Sequence, residues 1–326
     1  MNNVCALVLT RDRQGLLADC LDALGAQTHP VAELIVLDNA SSDGTARWLA
    51  ERSPGLPRLR VQCSAVNLGG AGGYAELLRL GCQTEADWLW LLDDDAEPRS
   101  DSLERLLASA PAVDPGTAAV CSAVVHRDGT VDPQHRCRLG RFITPLSRSA
   151  YADGIYAEVD CASFVGLLVR TRAARAAGLP RAEFFLGYDD AEYSLRLRRF
   201  GAVRLVPESV ITHKLPVGGG KSTPRSRRWN RLFGSDYNSA PWPSYWKDLY
   251  RVRNVVALKV QHEEFSQFQL VVLVLGYVAK TLLYDQRPLR RVPWIVRFAR
   301  RGWRGDFRAP SPEAWRAYTR SGGDRP

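Results

Sequence analysis

The sequence predicts an α/β protein: a doubly wound, mostly parallel sheet followed by a helical C-terminal extension. Three observations carry the prediction. Apolar runs without alternation, at 4–10 and 88–92, have the pattern of strands buried on both faces. The first hundred or so residues alternate strand and helix patterns, as a parallel sheet with crossover helices requires. Polar or glycine-rich turns follow the strands, and in such sheets ligands bind beyond the strands' carboxyl ends.

In order, 4–10 (Val-Cys-Ala-Leu-Val-Leu-Thr) reads as the first strand. A helix follows over 16–27, with Leu16, Leu17, Cys20, Leu21 and Leu24 on one face. Residues 33–38 form a second strand ending in Asp38, then come a polar turn (39–45) and a helix through Trp48 and Leu49. Residues 59–63 are a third strand, 71–80 a helix and 88–92 a fourth strand. Beyond these, 111–160 reads as short strands and loops, and 164–169 as a further strand. Residues 183–200 open as a loop and become helical; 203–211 is the last strand, followed by a flexible Gly218-Gly-Gly220 segment. From about Pro241 the chain reads as helical and cationic. No internal repeat is visible.

With 326 residues, 45% of them hydrophobic, the chain can bury a large core, either as two domains or as one α/β domain with an appendage. Its seven cysteines are scattered, without a CxxC pair or zinc-ligand spacing, which favours reduced thiols and a cytosolic protein. The opening residues read as a strand and lack the pattern of a secretory signal. Net charge is +9, and between Arg287 and Arg308 eight arginines face one acid, Asp306. Nucleic acid, an anionic membrane surface and anionic substrates are all partners for such a tail. The tail has no nucleic-acid recognition motif, which weighs against the first. The apolar run 270–283, interrupted by Lys280, is too short to span a bilayer but suits anchoring at its interface; the other reading is a helical subdomain packed on the core.

Several strand-end residues bear chemistry. Asp93-Asp94-Asp95 closes the fourth strand, and carboxylates so close raise one another's pKa unless a cation sits between them. Their hard oxygens suit Mg²⁺ or Mn²⁺; the alternative is a solvated run leading into the next helix. Asp38 reads either as a base or ribose ligand or as a helix N-cap. Asn67-Leu-Gly-Gly-Ala-Gly-Gly73 permits close backbone approach to phosphates, without dinucleotide-binding spacing. Asp189-Asp190-Ala-Glu192, after an aromatic segment, supplies either a general base or helix-capping carboxylates. His213 reads as a metal ligand or a structural histidine.

Together, the loop Thr10-Arg-Asp-Arg13, Leu37–Thr45, Asn67-Leu-Gly, the triple Asp, Gly187-Tyr-Asp-Asp-Ala-Glu192 and Thr212-His213 resemble the family 2 glycosyltransferases of GT-A fold, over roughly 4–215. The glycine loop and the third acid look most like bacterial galactofuranosyltransferases, with rhamnosyltransferases using dTDP-rhamnose as the second branch. Tyr250-Arg-Val-Arg-Asn254 resembles a signature of both.

The resemblance implies a catalytic domain over 1–220, with a nucleotide-binding half (1–110) and an acceptor half (111–220), and a basic helical region over 221–326. It implies that Asp93, Asp95 and His213 hold Mn²⁺ or Mg²⁺, with Asp94 or Asp93 touching the ribose. Thr10, Arg11, Arg13, Asp38, Asn67, Gly69 and Gly70 would bind the nucleotide sugar, with Arg13 near the uracil. Asp190 would be the catalytic base; Phe164, Gly166, Tyr188, Asp189 and Glu192 would line the acceptor site. The expected partners are a UDP-sugar donor, a polyprenyl-linked glycan acceptor, an anionic membrane surface at the cytoplasmic face of the plasma membrane, and a further copy of the chain.

Overall fold

The structure, a computed structural model, describes residues 2–52, 58–140, 143–214, 223–233, 237–261 and 266–321. The Gly218–Gly220 segment lies outside them. Two compact units divide the chain: Met1–Phe185 with Asp189–Pro216, and Leu186–Tyr188 with Val217–Pro326.

The first unit opens with β1 (Val4–Thr10), α1 (Gln14–Gly25), β2 (Glu33–Asp38), α2 (Thr45–Arg52), β3 (Leu59–Cys63), α3 (Gly69–Gly81) and β4 (Trp88–Asp93). These four strands pair in parallel. Side chains along β4 alternate between two cores: Leu89 and Leu91 join Leu7, Ile35 and Leu77, while Trp88, Trp90 and Leu92 join Val8, Val36 and Leu17. Burial on both faces is why these strands read as continuous apolar runs. Register then sets the site. Thr10 pairs with Asp38 and Leu9 with Asp93, so the strand-end acids share one edge.

Beyond β4 the unit continues through β5 (Ala96–Pro98), α4 (Ser102–Ala108), α5 (Ala110–Val113), β6 (Thr117–Val125), β7 (Arg136–Leu139), β8 (Ile143–Pro145), β9 (Cys161–Ala162), β10 (Leu167–Arg170), α6 (Thr171–Ala177), α7 (Asp189–Leu197) and β11 (Ala202–His213). The main sheet has the order β3-β2-β1-β4-β10-β6-β11-β5, and β8-β7-β9 form a smaller one. This half is mixed: β10 runs antiparallel to β4 and β6, and β5 antiparallel to β11.

Three local expectations change. The triple Asp does not lead into a helix; it turns β4 into β5, and α4 starts only at Ser102. The strand expected over 164–169 begins at Leu167, because Gly166 takes a left-handed φ of 73°. The last strand is longer than expected and includes His213, paired with Ala96 beside the acid triplet.

The second unit holds α8 (Pro224–Phe233), α9 (Trp246–Gln261), α10 (Gln267–Tyr284), α11 (Pro288–Trp303) and α12 (Pro312–Arg320) around Tyr250, Val256, Trp294, Phe298 and Trp315. The Tyr250–Asn254 signature is structural here. Arg253 is fully buried, donates to the Phe307 carbonyl at 2.6 Å and stacks on Tyr250, while Asn254 donates to the Leu186 and Gly187 carbonyls. Helix α10 exceeds the apolar run read from sequence. A capping box between Ser266 and Gln269 starts it early, giving 18 residues. Among the described residues it is one helix long and apolar enough, by length and composition, to cross a membrane, so the expectation of a run too short to do so gives way.

Candidate active site

Asp93, Asp95 and His213 bring one ligand atom each within 4.8 Å of one another. Sheet pairing explains the convergence, since the end of β4, the turn after it and the end of β11 meet at one edge. His213 Nε2 lies 3.2 Å from Asp95 Oδ1, while His213 Nδ1 is buried without a hydrogen-bond partner. Buried polar atoms are ordinarily satisfied. Two carboxylates and an imidazole with spare lone pairs fit Mn²⁺ or Mg²⁺. Burial and then the charge of Asp95 push the Asp93 carboxyl up, opposed by a hydrogen bond from the Tyr74 hydroxyl. For Asp95, burial is outweighed by the His213 hydrogen bond and charge and by Arg13, and its pKa falls. Burial disfavours the His213 imidazolium, but Asp95 outweighs it and holds its pKa above the ordinary value.

Asp94 is used differently. Its Oδ2 accepts from Thr10 Oγ1 at 2.9 Å and from the Arg11 amide at 3.3 Å, and its Oδ1 from Arg13 at 3.0 Å. Burial raises its pKa to about 6, with Arg13 opposing and Asp93 assisting. This carboxylate therefore braces the 10–13 loop. Arg13 is half-exposed and also reaches Asp95 at 3.3 Å. Asp38 is buried and accepts from the Ser41 amide at 3.1 Å, closing the turn after β2. Its helix-capping alternative fails, because α2 begins at Thr45, whose amide is served by Asp43.

The glycine loop is corrected in part. Asn67 accepts from the Gly69 amide at 2.9 Å, and α3 starts at Gly69. A Cβ on Gly69, which has a φ of 72°, would lie 2.2 Å from the Phe185 carbonyl oxygen; one on Gly73 would lie 2.5 Å from Leu9 Cδ1. These two glycines serve close packing, and phosphate approach is not what requires them. Gly70 sits in the first turn of the same helix.

Asp190 opens α7 beside Asp189, with Oδ1 accepting from the Ala191 amide at 2.7 Å. Burial raises its pKa to about 6; the Ala191 amide opposes and the Asp93 charge adds to the rise. Asp189 is buried. The other four expected acceptor residues make the following contacts. Glu192 is buried and chelated by Arg196 at 2.7 and 2.9 Å. Phe164 is a core side chain, 4.2 Å from the Tyr74 ring and 6.1 Å from Tyr193. Gly166 is required by packing, since a Cβ there would lie 2.4 Å from Ile211 Cδ1. Tyr188 belongs to the second unit, its hydroxyl 3.5 Å from that of Tyr277.

Sequence reasoning passed over three residues. Asn39 donates to the Gly69 carbonyl at 3.0 Å and accepts from the Leu68 amide at 2.7 Å, fixing the glycine loop to the end of β2. Tyr74 holds Asp93. His135 is buried, hydrogen-bonded to Ser163 at 2.7 Å and edge-on to His213, with ring centroids 5.0 Å apart. Burial lowers its pKa, opposed by its hydrogen bond with Asp132. The polar turn after β2 was a usable signal for Asn39; nothing local marks the other two.

The family model Glycosyl transferase family 2 matches residues 5–176. Galactofuranosyltransferase GlfT1 of Mycolicibacterium smegmatis is 34% identical over 206 residues, which cover 61% of this chain and 66% of that protein. The match thus spans just under two thirds of that relative's length. The structure of GalNAc-T7 with UDP, GalNAc and Mn²⁺ is similar at a TM-score of 0.57 and 13% identity, covering 86% of this chain and 58% of that one. Staphylococcus aureus TarS 1–349 in complex with UDP-GlcNAc gives 0.55 and 13%, covering 98% and 92%. These likenesses show a GT-A fold.

Proposed function

Because the chain belongs to glycosyl transferase family 2, we propose that it is an inverting, metal-dependent enzyme that moves galactofuranose from UDP-galactofuranose onto a polyprenyl-linked glycan. The observation that carries the reading is the cluster of Asp93, Asp95 and His213 in the same unit as a carboxylate, Asp190, tuned to about 6. The choice of sugar rests on the 34% identity to a galactofuranosyltransferase. The lipid-linked acceptor and a peripheral position at the cytoplasmic face of the membrane are inferred from the cationic C-terminal region.

Asp93, Asp95 and His213 would hold Mn²⁺ or Mg²⁺, which when bound supplies positive charge to a departing diphosphate. The 10–13 loop, braced by Asp94, and the turn closed by Asp38 would hold the nucleotide. Asp190 takes the proton of the acceptor hydroxyl as that oxygen bonds to the anomeric carbon. The bond from that carbon to the UDP oxygen breaks, its electron pair leaves with UDP, and the configuration inverts. A carboxylate of pKa about 6 is ionised at neutral pH yet more basic than an ordinary aspartate.

Asp190→Asn is expected to lower the transfer rate by about 10²–10⁴-fold while UDP binding, followed by calorimetry, stays near wild type. Near-normal turnover, or a product that keeps the donor's anomeric configuration, contradicts the assignment.

A further inference from the structure

Helix α10 leaves an apolar stripe in solvent. Phe268, Val272, Leu275, Ala279 and Leu282, spaced alternately by four and three residues, share one face. All five are exposed, Phe268 to 72% and Leu275 to 59%, and no charged residue interrupts them. A helix of a soluble protein normally turns such a stripe towards a core. Beside it lies a groove of about 420 Å³, where Val271 and Leu275 of α10 face Val296 of α11, with Arg300, Trp303 and Arg304 also in its wall. Trp303 is 45% exposed, and Arg297, Arg300 and Arg304 are exposed as well.

We propose that this face docks on an anionic lipid bilayer. Helix α10 lies in the plane of the interface with its stripe among the acyl chains, and one chain enters the groove. Arg300 and Arg304 meet the lipid phosphates, and Trp303 sits at headgroup depth. Charge selects this occupant. A second copy laid on the stripe would bring two sets of arginines together, whereas an anionic bilayer satisfies the apolar helix and the cations at once. Orientation follows from packing: Arg300 of α11 and Arg304 at its end wall the same groove as Val271 and Leu275 of α10, so a spanning α10 would carry them into hydrocarbon. The proposal deepens the peripheral position given above, and it is read by vesicle binding without any sugar transfer.

The test is flotation of the full chain with vesicles of phosphatidylcholine alone or mixed with phosphatidylglycerol. Binding is expected only to the mixed vesicles, with release in high salt. Leu275→Glu, and separately the pair Arg300→Glu and Arg304→Glu, should each lower the bound fraction about ten-fold. Val113→Glu, at an exposed apolar residue of the first unit, should leave it unchanged. Thermal melts confirm that each variant is folded. Equal flotation of the variants and wild type overturns the proposal. So does a dimer broken by Leu275→Glu in a chain that binds no vesicles. Retention that only detergent reverses also overturns it, in favour of a spanning helix.

Discussion

Asp190 has a carboxyl that burial and the nearby Asp93 charge move from an ordinary 3.8 to about 6. The sign of the consequence is fixed. Below about pH 6 the group is protonated and cannot accept a proton, so log kcat/KM should fall with unit slope on the acid side and level off above. A pH–rate profile of wild type checks this; a profile flat down to about pH 4 excludes Asp190 as the base. Tyr74 bears on Asp93, one of the carboxylates proposed to hold the metal. Removing its hydroxyl from Asp93 in Tyr74→Phe should weaken Mn²⁺ binding about 10-fold or more, measured by calorimetry, as loss of partners behind ligands commonly does. Unchanged affinity would leave Tyr74 a packing residue. The convergence of Asp93, Asp95 and His213 was legible because charged residues at strand ends stand out against apolar runs. Tyr74 and His135 were not, since an aromatic residue on a helix or in a loop looks like core until tertiary contacts are known. The packing partners of Glu192, Phe164 and Gly166 were hidden for the same reason: the Arg196 chelate, the Tyr74 ring and Ile211 come to them through the fold.

At the scale of elements, α3 depends on glycines that the turn and strand beside it leave no room to replace. Gly69→Ala adds a left-handed backbone cost and a Cβ 2.2 Å from the Phe185 carbonyl oxygen. It should destabilise the protein by about 2–4 kcal/mol in urea unfolding; a loss within about 0.5 kcal/mol would show that the 182–185 turn yields freely. The first four strands were readable because burial on both faces writes itself as unbroken apolar runs. The antiparallel β5 was not, being three residues long with its partner distant in sequence, and the strand read over 164–169 was placed three residues early. A three-residue strand has too few positions to show a period.

Across the whole molecule, the two units differ in how far sequence alone describes them. Strand-end chemistry in the first unit reads from sequence as a candidate cation site, because the parallel strands send their carboxyl ends to one edge. In the second unit the arginines were visible, but the solvent-facing stripe of α10 was not, since hydropathy is the same whichever way a helix face turns. The central claim is metal-dependent transfer from a UDP-furanose at the Asp93, Asp95 and His213 cluster. Its most direct test is product formation from UDP-galactofuranose and from dTDP-rhamnose, each with Mn²⁺ and with EDTA, using a polyprenyl-linked glycan acceptor. Transfer is expected from UDP-galactofuranose alone, lost in EDTA and restored by Mn²⁺. Transfer from dTDP-rhamnose in preference, or from either donor undiminished by EDTA, would contradict the claim.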